Sequence, residues 1–150
     1  MRIPKRIPPP GLLLVCLVFM ALLRMAWPAG VFLGYPANLA GLVAVALGLL
    51  IGVLGVVKFR RERTNIHPFK KADKLVTNGV YRYSRNPMYL GLTLILVGAW
   101  VLLGAVSPIL GVLLFVLVAD RWYIPGEERM LRERFGKFYE EYRTEVRRWL

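Results

Sequence analysis

Residues 78–91 read Asn-Gly-Val-Tyr-Arg-Tyr-Ser-Arg-Asn-Pro-Met-Tyr-Leu-Gly, a polar cluster that gives way abruptly to an apolar run. Asn86-Pro87 has the form of a helix start, with Asn86 as N-cap and Pro87 as first helical residue. A helix N-terminus carries unpaired N–H groups and partial positive charge, which Arg82 and Arg85 reinforce, so this end suits an anion. Further along, Glu127 and Glu128 form an acidic pair. An arginine-flanked helix start, the rings of Tyr81 and Tyr89 and two carboxylates together match a zwitterionic ligand that also carries an aromatic base. S-adenosylmethionine is one such ligand among others. A plainer reading stands beside it: Arg82 and Arg85 as topology anchors, Tyr81 and Tyr89 as interfacial aromatics, and Glu127 and Glu128 as helix-dipole partners.

The elements that must position these residues are hydrophobic. Apolar residues make up 57% of the 150, and the mean hydropathy is +0.50. Four apolar stretches stand out, at about 11–27, 37–57, 88–104 and 108–124. Each is near the ~17–25 residues that cross a bilayer as a helix, and backbone groups in lipid must pair internally. The expected fold is therefore all-α and integral to the membrane, a single domain over 1–150 with four transmembrane helices. The last two form a hairpin turning at Gly104-Ala105-Val106-Ser107-Pro108.

Charge sets the orientation. All but one of the 21 Lys and Arg residues fall in three segments, 2–6, 58–85 and 121–148. The connections after the first and third spans carry no charge, so the pattern places both termini and the 58–86 loop in the cytoplasm. Topology and contact with anionic membrane lipids account for the net charge of +12. No soluble basic domain exists to hold a duplex, so nucleic acid is not an expected partner. Arg2-Ile3-Pro4-Lys5-Arg6 before an apolar run resembles a signal peptide, but its removal would break the charge alternation, and we read it as a retained anchor. Arg24, the remaining basic residue, is expected to snorkel to the outer interface. Cys16 is the single cysteine, which excludes an internal disulfide or a cysteine metal cluster and predicts a packing role; no metal site is expected.

Small residues at Gly41, Ala44, Gly48, Gly52 and Gly55 form a stripe on the second span for close helix approach. Packing within the chain is favoured, with a homodimer through the Gly48–Gly52 face as the other use. In the 58–86 loop, Lys74-Leu75-Val76-Thr77 reads as a short extended piece ending in a turn at Asn78-Gly79. The fourth span is expected to end near Asp120-Arg121 and to be broken by Pro125-Gly126. Beyond it, Leu131, Phe135, Phe138, Tyr142, Val146 and Trp149 recur near helical spacing opposite Arg132, Arg134, Glu140, Glu141 and Arg147. That predicts a C-terminal amphipathic interfacial helix over 127–149.

Two stretches resemble one family. Lys74-Leu75-Val76-Thr77-Asn78-Gly79-Val80-Tyr81 followed by Arg85-Asn86-Pro87-Met88-Tyr89-Leu90-Gly91 is similar to the signature of the isoprenylcysteine carboxyl methyltransferases and phospholipid methyltransferases, Leu-Val-Thr-x-Gly-x-Tyr and then Arg-His-Pro-x-Tyr-x-Gly. Glu127-Glu128, Phe135-Gly136, Tyr139, Tyr142 and Val146 resemble its Glu-Glu…Phe-Gly-x-x-Tyr-x-x-Tyr…Val ending. The resemblance covers residues 73–149. It implies a multi-pass enzyme of the cell (inner or plasma) membrane that uses S-adenosylmethionine at its cytoplasmic end and takes a lipophilic acceptor from the bilayer, isoprenylcysteine carboxylate-like or phospholipid amine-like. Carried over by position, Val76, Gly79 and Tyr81 would lie along the cofactor. Arg85 and Asn86 would hold its polar groups, Pro87, Tyr89 and Leu90 would shape the pocket, and Gly91 would permit close approach. Glu127 and Glu128 would accept from the ribose hydroxyls or the amino group.

The chain departs from the pattern in places. The family's usual histidine is Asn86, which cannot titrate near neutrality, and another is Asp73. Where prenylcysteine enzymes commonly carry an arginine before the acidic pair, Trp122 and Tyr123 stand, with Arg121 farther off. His67, the chain's one histidine, reads as a loop surface residue. No catalytic residue is assigned, because an in-line methyl displacement relies on geometry more than on a strong base. Two other classes fit less well: an NADPH-dependent sterol-reductase-like enzyme, usually a much longer chain, and a non-enzymatic membrane protein that binds a partner.

Overall fold

The computed structural model describes residues 7–61 and 75–150. His67, Asp73 and Lys74 lie outside them, as does the middle of the 58–86 loop. The described residues form helix α1 (Pro9–Ala26), a 3-10 turn (Ala37–Ala40) leading into α2 (Gly41–Arg61), a second 3-10 turn (Gly79–Arg82), α3 (Pro87–Leu103), α4 (Ile109–Val118), a π-helical turn (Ala119–Tyr123), α5 (Ile124–Phe135) and α6 (Lys137–Glu145). Among the described residues, three helical stretches are long and apolar enough to cross a membrane: Pro9–Ala26, Ala37–Arg61 and Ile109–Phe135. The 17-residue α3 is apolar but shorter. At 1.5 Å per residue it reaches about 26 Å, a little under the ~30 Å hydrocarbon thickness.

The small-residue stripe of α2 is used inside the chain. Gly41 faces Gly98 and Gly48 faces Gly91, so the two backbones touch. A Cβ on Gly48 would lie 2.5 Å from the Gly91 carbonyl oxygen, and one on Gly91 2.6 Å from that of Gly48. A second copy at the Gly48 face would have to displace α3. Within the GxxxG pair the roles differ, because a Cβ on Gly52 would meet no atom within 4 Å. The rest of the core joins α1 to α3 and α4 through Cys16, Met20, Leu96 and Phe115, all fully buried. Cys16 has the packing role expected of it.

Both ends of α3 are tied down. Gly104 closes the C-terminus with φ 62°, and its amide reaches the Trp100 and Val101 carbonyls. The carbonyls that a helix end leaves unpaired find side chains: Arg24 Nε donates to Leu103 O at 3.0 Å and Asn38 Nδ2 to Leu102 O at 2.7 Å. Arg24 is thus a helix cap rather than a free snorkelling anchor. Residues 30–32 then pair with 104–106, Phe32 N donating to Gly104 O (2.9 Å) and Val106 N to Gly30 O (3.0 Å).

The second half departs from expectation at two points. Pro125-Gly126 does not break the fourth helix, which runs on from Ile109 to Phe135. The π-helical turn at Ala119–Tyr123 loosens the ladder just ahead of Pro125, which sits in the first turn of α5, where a missing N–H is tolerated. The single amphipathic helix expected over 127–149 is instead divided at Gly136 (φ 51°), and α6 ends at Glu145 with Val146 extended. Beyond this break Tyr139 and Tyr142 are buried, and Phe138, expected on the apolar face, is 74% exposed.

The glycine contacts give a test. Gly91→Leu forces apart two backbones already in contact and should cost roughly 1–3 kcal/mol or more, read as a lower melting temperature of the detergent-purified protein. Gly52→Ala meets no neighbour and should leave the melting temperature unchanged or raise it, since alanine is the better helix former.

Candidate functional site

A cavity opens where the start of α3, the end of α2, α5 and α6 converge. Val76, Tyr81 and the run Arg85–Tyr89 line one side, with Glu127, Glu128, Tyr139 and Tyr142 opposite. Phe59, Leu75 and Leu131 complete it.

Eight of the eleven residues expected to bind a cofactor line this cavity: Val76, Tyr81, Arg85, Asn86, Pro87, Tyr89, Glu127 and Glu128. Three do not. Gly79 makes a left-handed turn (φ 65°) against the Lys58 side chain. Leu90 is half-buried one residue beyond the lining. Gly91 allows close approach, but to the backbone of α2 rather than to the cavity. Five lining residues were absent from the expected set besides Leu75. Tyr139 and Tyr142 carry the signal that would have included them, the Phe-Gly-x-x-Tyr-x-x-Tyr spacing. Phe59, Met88 and Leu131 carry none, being ordinary apolar residues of helices.

Local structure explains the placement. The 3-10 turn and the Ser84–Asn86 corner bring the chain back into the start of α3. Asn86 takes the N-cap position, but its side chain makes no cap bond. Its Nδ2 donates instead to Arg148 O at 3.0 Å, and Ser84 Oγ accepts the Asn86 amide at 3.1 Å. The Arg85 amide donates to Arg147 O at 3.0 Å. Tyr142 Oη reaches across to Tyr81 O at 2.6 Å, joining the two halves of the signature through a buried hydrogen bond.

The two glutamates face different surroundings. Glu127 accepts from Tyr89 Oη at 2.6 Å. Glu128, 8% exposed, is held by two guanidiniums. Arg148 forks onto both its oxygens, Nη2 to Oε2 at 2.7 Å and Nε to Oε1 at 3.2 Å, while Arg85 Nη2 lies 3.1 Å from Oε1. Arg148 also reaches Asp120 Oδ1 at 3.1 Å. The sequence pattern did not single out Arg148. Arg82, by contrast, is exposed and outside the cavity.

Three buried polar atoms on the cavity residues have no partner among the described residues: Arg85 Nε, Tyr81 Oη and Tyr139 Oη. Burial pushes the Tyr139 phenol up to about 12 and that of Tyr81 higher still, so both stay protonated donors at neutral pH. Buried donors of this kind are normally paired. Acceptor groups on a polar ligand would pair them. The residues present therefore fit a zwitterionic nucleoside such as S-adenosylmethionine.

The phospholipid methyltransferase family matches residues 36–138, a stretch that takes in both sides of the cavity. A probable protein-S-isoprenylcysteine O-methyltransferase of Oryza sativa subsp. indica is 41% identical over 111 residues, covering 71% of this chain and 56% of the relative. Protein-S-isoprenylcysteine O-methyltransferase B of Arabidopsis thaliana is 33% identical over the same length, 71% of this chain and 55% of its own. An uncharacterized protein of Haemophilus influenzae is 48% identical over 64 residues, 42% of this chain and all of its own. The chain spans about half the length of the plant relatives. No solved structure matches it. This chain belongs to the phospholipid methyltransferase family, and its apolar helices make it a membrane protein.

The ion pairs around the cavity differ sharply in burial, which predicts their weight. Glu128→Ala leaves the buried Arg85 without its carboxylate, while Arg148 keeps Asp120, and should cost about 3–5 kcal/mol of unfolding free energy. Arg132 and Glu140, 2.6 Å apart but with side chains 48% and 42% exposed, should lose only ~0–1 kcal/mol in Arg132→Ala. Unfolding of the detergent-solubilised variants checks the order.

Proposed function

We propose that the chain is an S-adenosylmethionine-dependent methyltransferase that acts at the membrane on a lipophilic acceptor. The observation that carries this reading is the joining of the two motif halves, residues 74–91 and 127–146, around one cavity whose buried donors are unpaired among the described residues. The names of the relatives add support for an isoprenylcysteine carboxylate-like acceptor, and the family description for a phospholipid amine-like one. The exposed Trp122, where prenylcysteine enzymes commonly have arginine, weighs against a strict prenylcysteine assignment.

When bound, the cofactor supplies an electrophilic methyl on a sulfonium. The chain's part is to hold and orient. Arg85, whose Nε has no partner among the described residues, would take the ligand's carboxylate. Among the described residues Glu127 has Tyr89 as its side-chain hydrogen-bond partner, and it can accept from a hydroxyl or an ammonium group. Glu128 has both oxygens engaged and instead sets the arginines. The rings of Tyr81, Phe59 and Tyr89 suit a cationic centre, which aromatic faces attract. Holding an acceptor in line with the methyl supplies most of the rate such a reaction needs; a carboxylate acceptor needs no base, and an amine needs only to be neutral.

In this reading the four apolar stretches all span, α3 included, with both termini and the cavity on the cytoplasmic side of the cell membrane. The hairpin of α3 and α4 leaves the acceptor to arrive from the lipid.

Calorimetry on detergent-purified protein should detect S-adenosylmethionine or S-adenosylhomocysteine at sub-millimolar concentration; no binding there defeats the proposal. Arg85→Ala should weaken binding roughly ten- to a hundredfold, the equivalent of ~1.5–3 kcal/mol for a charge-assisted bond. Arg85→Lys should recover only part, since an ammonium lacks the fork. Arg82→Ala should change little, and equal small losses at both arginines would make the cluster an anchor.

Orientation is checked separately. A reporter active only outside the cytoplasm, fused after Leu150, should stay silent. Activity there would overturn the placement of the cavity.

A further inference from the structure

The residue that the methyltransferase reading leaves unused is Arg148. It lies outside the cavity lining, yet its contacts reach both walls. Its side chain takes both Glu128 oxygens and Asp120 Oδ1. Its carbonyl accepts from Asn86 Nδ2 at 3.0 Å and Ser84 Oγ at 3.4 Å. Trp149 Nε1 adds a bond to the same Asp120 oxygen at 3.2 Å. One extended segment after α6 thus ties the start of α3 to α5.

We infer that Arg148 is a positioning residue that frees Arg85 for the carboxylate of a ligand. The inference rests on the methyltransferase reading and deepens it. Glu128 Oε1 is shared by Arg148 Nε and Arg85 Nη2. A buried carboxylate needs one well-placed cation, and removing it is costly. With Arg148 forked onto Glu128, the Arg85 guanidinium can turn its unpaired Nε and its Nη2 toward a ligand without stranding that charge. Without Arg148, Arg85 is the one cation left on Glu128 among the described residues, and a ligand carboxylate must compete for it. The loss therefore falls on the amino-acid end of the ligand and spares the adenosine end.

Two probes separate these ends on the full chain in detergent: S-adenosylhomocysteine, and 5′-methylthioadenosine, which lacks the amino-acid carboxylate. In Arg148→Ala the affinity for S-adenosylhomocysteine should fall about tenfold or more, and that for 5′-methylthioadenosine less than about threefold. Arg148→Lys should restore part of the difference, because one ammonium cannot hold both oxygens. Asp120→Asn, which loosens Arg148 from outside the cavity, should show the same selectivity in smaller measure and add little to Arg148→Ala, as expected of residues acting through one network. Equal losses for the two probes, or no loss for either, overturn the inference while leaving the methyltransferase reading intact. If Arg148→Ala does not fold, Arg148→Lys and Asp120→Asn decide by the same comparison. A wild-type protein that binds neither probe defeats the methyltransferase reading and this inference with it.

Discussion

A carboxylate taken out of water governs this end of the molecule. Glu128 is 8% exposed, and a charge so placed persists only with close cations and satisfied lone pairs. The chain provides them from two places distant in sequence, Arg85 at the entry to α3 and Arg148 after α6. Three segments are thereby stapled by one charge. The same staple fixes the cavity, since Arg85 and Glu128 both line it. Buried ion pairs seldom add net stability over apolar packing. What this one contributes is geometry, two guanidinium planes and a carboxylate whose relative positions leave little freedom.

The membrane-embedded part depends on a different constraint. Helices in lipid gain nothing from hydrophobic contrast, so close backbone approach decides which of them pair. Gly41 with Gly98 and Gly48 with Gly91 provide it at a spacing of seven residues on each helix. The register set there carries to the cavity end of the two helices, where Met88 of α3 meets Gly55 and the ring of Tyr81 meets Phe59 at 5.2 Å. In this way the glycines deep in the apolar region set where the polar cluster sits. Gly91 belongs to this function, which is why a motif glycine lies behind the cavity wall instead of in it.

Much of this was legible in the residue pattern, for reasons that differ by element. Apolar runs and their charged flanks mark helices because the bilayer penalises anything else. Asn86-Pro87 marks the start of α3 because few pairs suit a helix entry so well. Less could be read where tertiary contacts override local preference. Pro125-Gly126 has the composition of a break, yet a π-helical turn upstream absorbs the missing N–H and the helix continues. Gly136 has no clash to avoid; it is the positive φ there that divides the C-terminal helix. Asn86 likewise looks like a side-chain cap, but a tail sixty residues on competes for its amide and wins. Arg148 sits in a basic run, Arg147-Arg148, whose residue types alone do not distinguish an exposed arginine from a clamped one.

That last pair shows how the acidic residues divide their work. Adjacent glutamates on a helix point about 100° apart, so they cannot share surroundings. Glu128 turns toward the arginines and has its charge fully compensated, whereas Glu127 turns toward Tyr89 and keeps acceptor capacity within the cavity. Each needs the other's arrangement. If Arg148 did not engage Glu128, Arg85, already 3.1 Å from Oε1, would have to compensate that charge without it. With Arg148 in place, Arg85 and Glu127 both line the cavity, while the protonated phenols of Tyr81 and Tyr139 supply donors without charge. The polar cluster ahead of an apolar helix is therefore half of a charge pattern, completed only when the chain's last residues fold back across it.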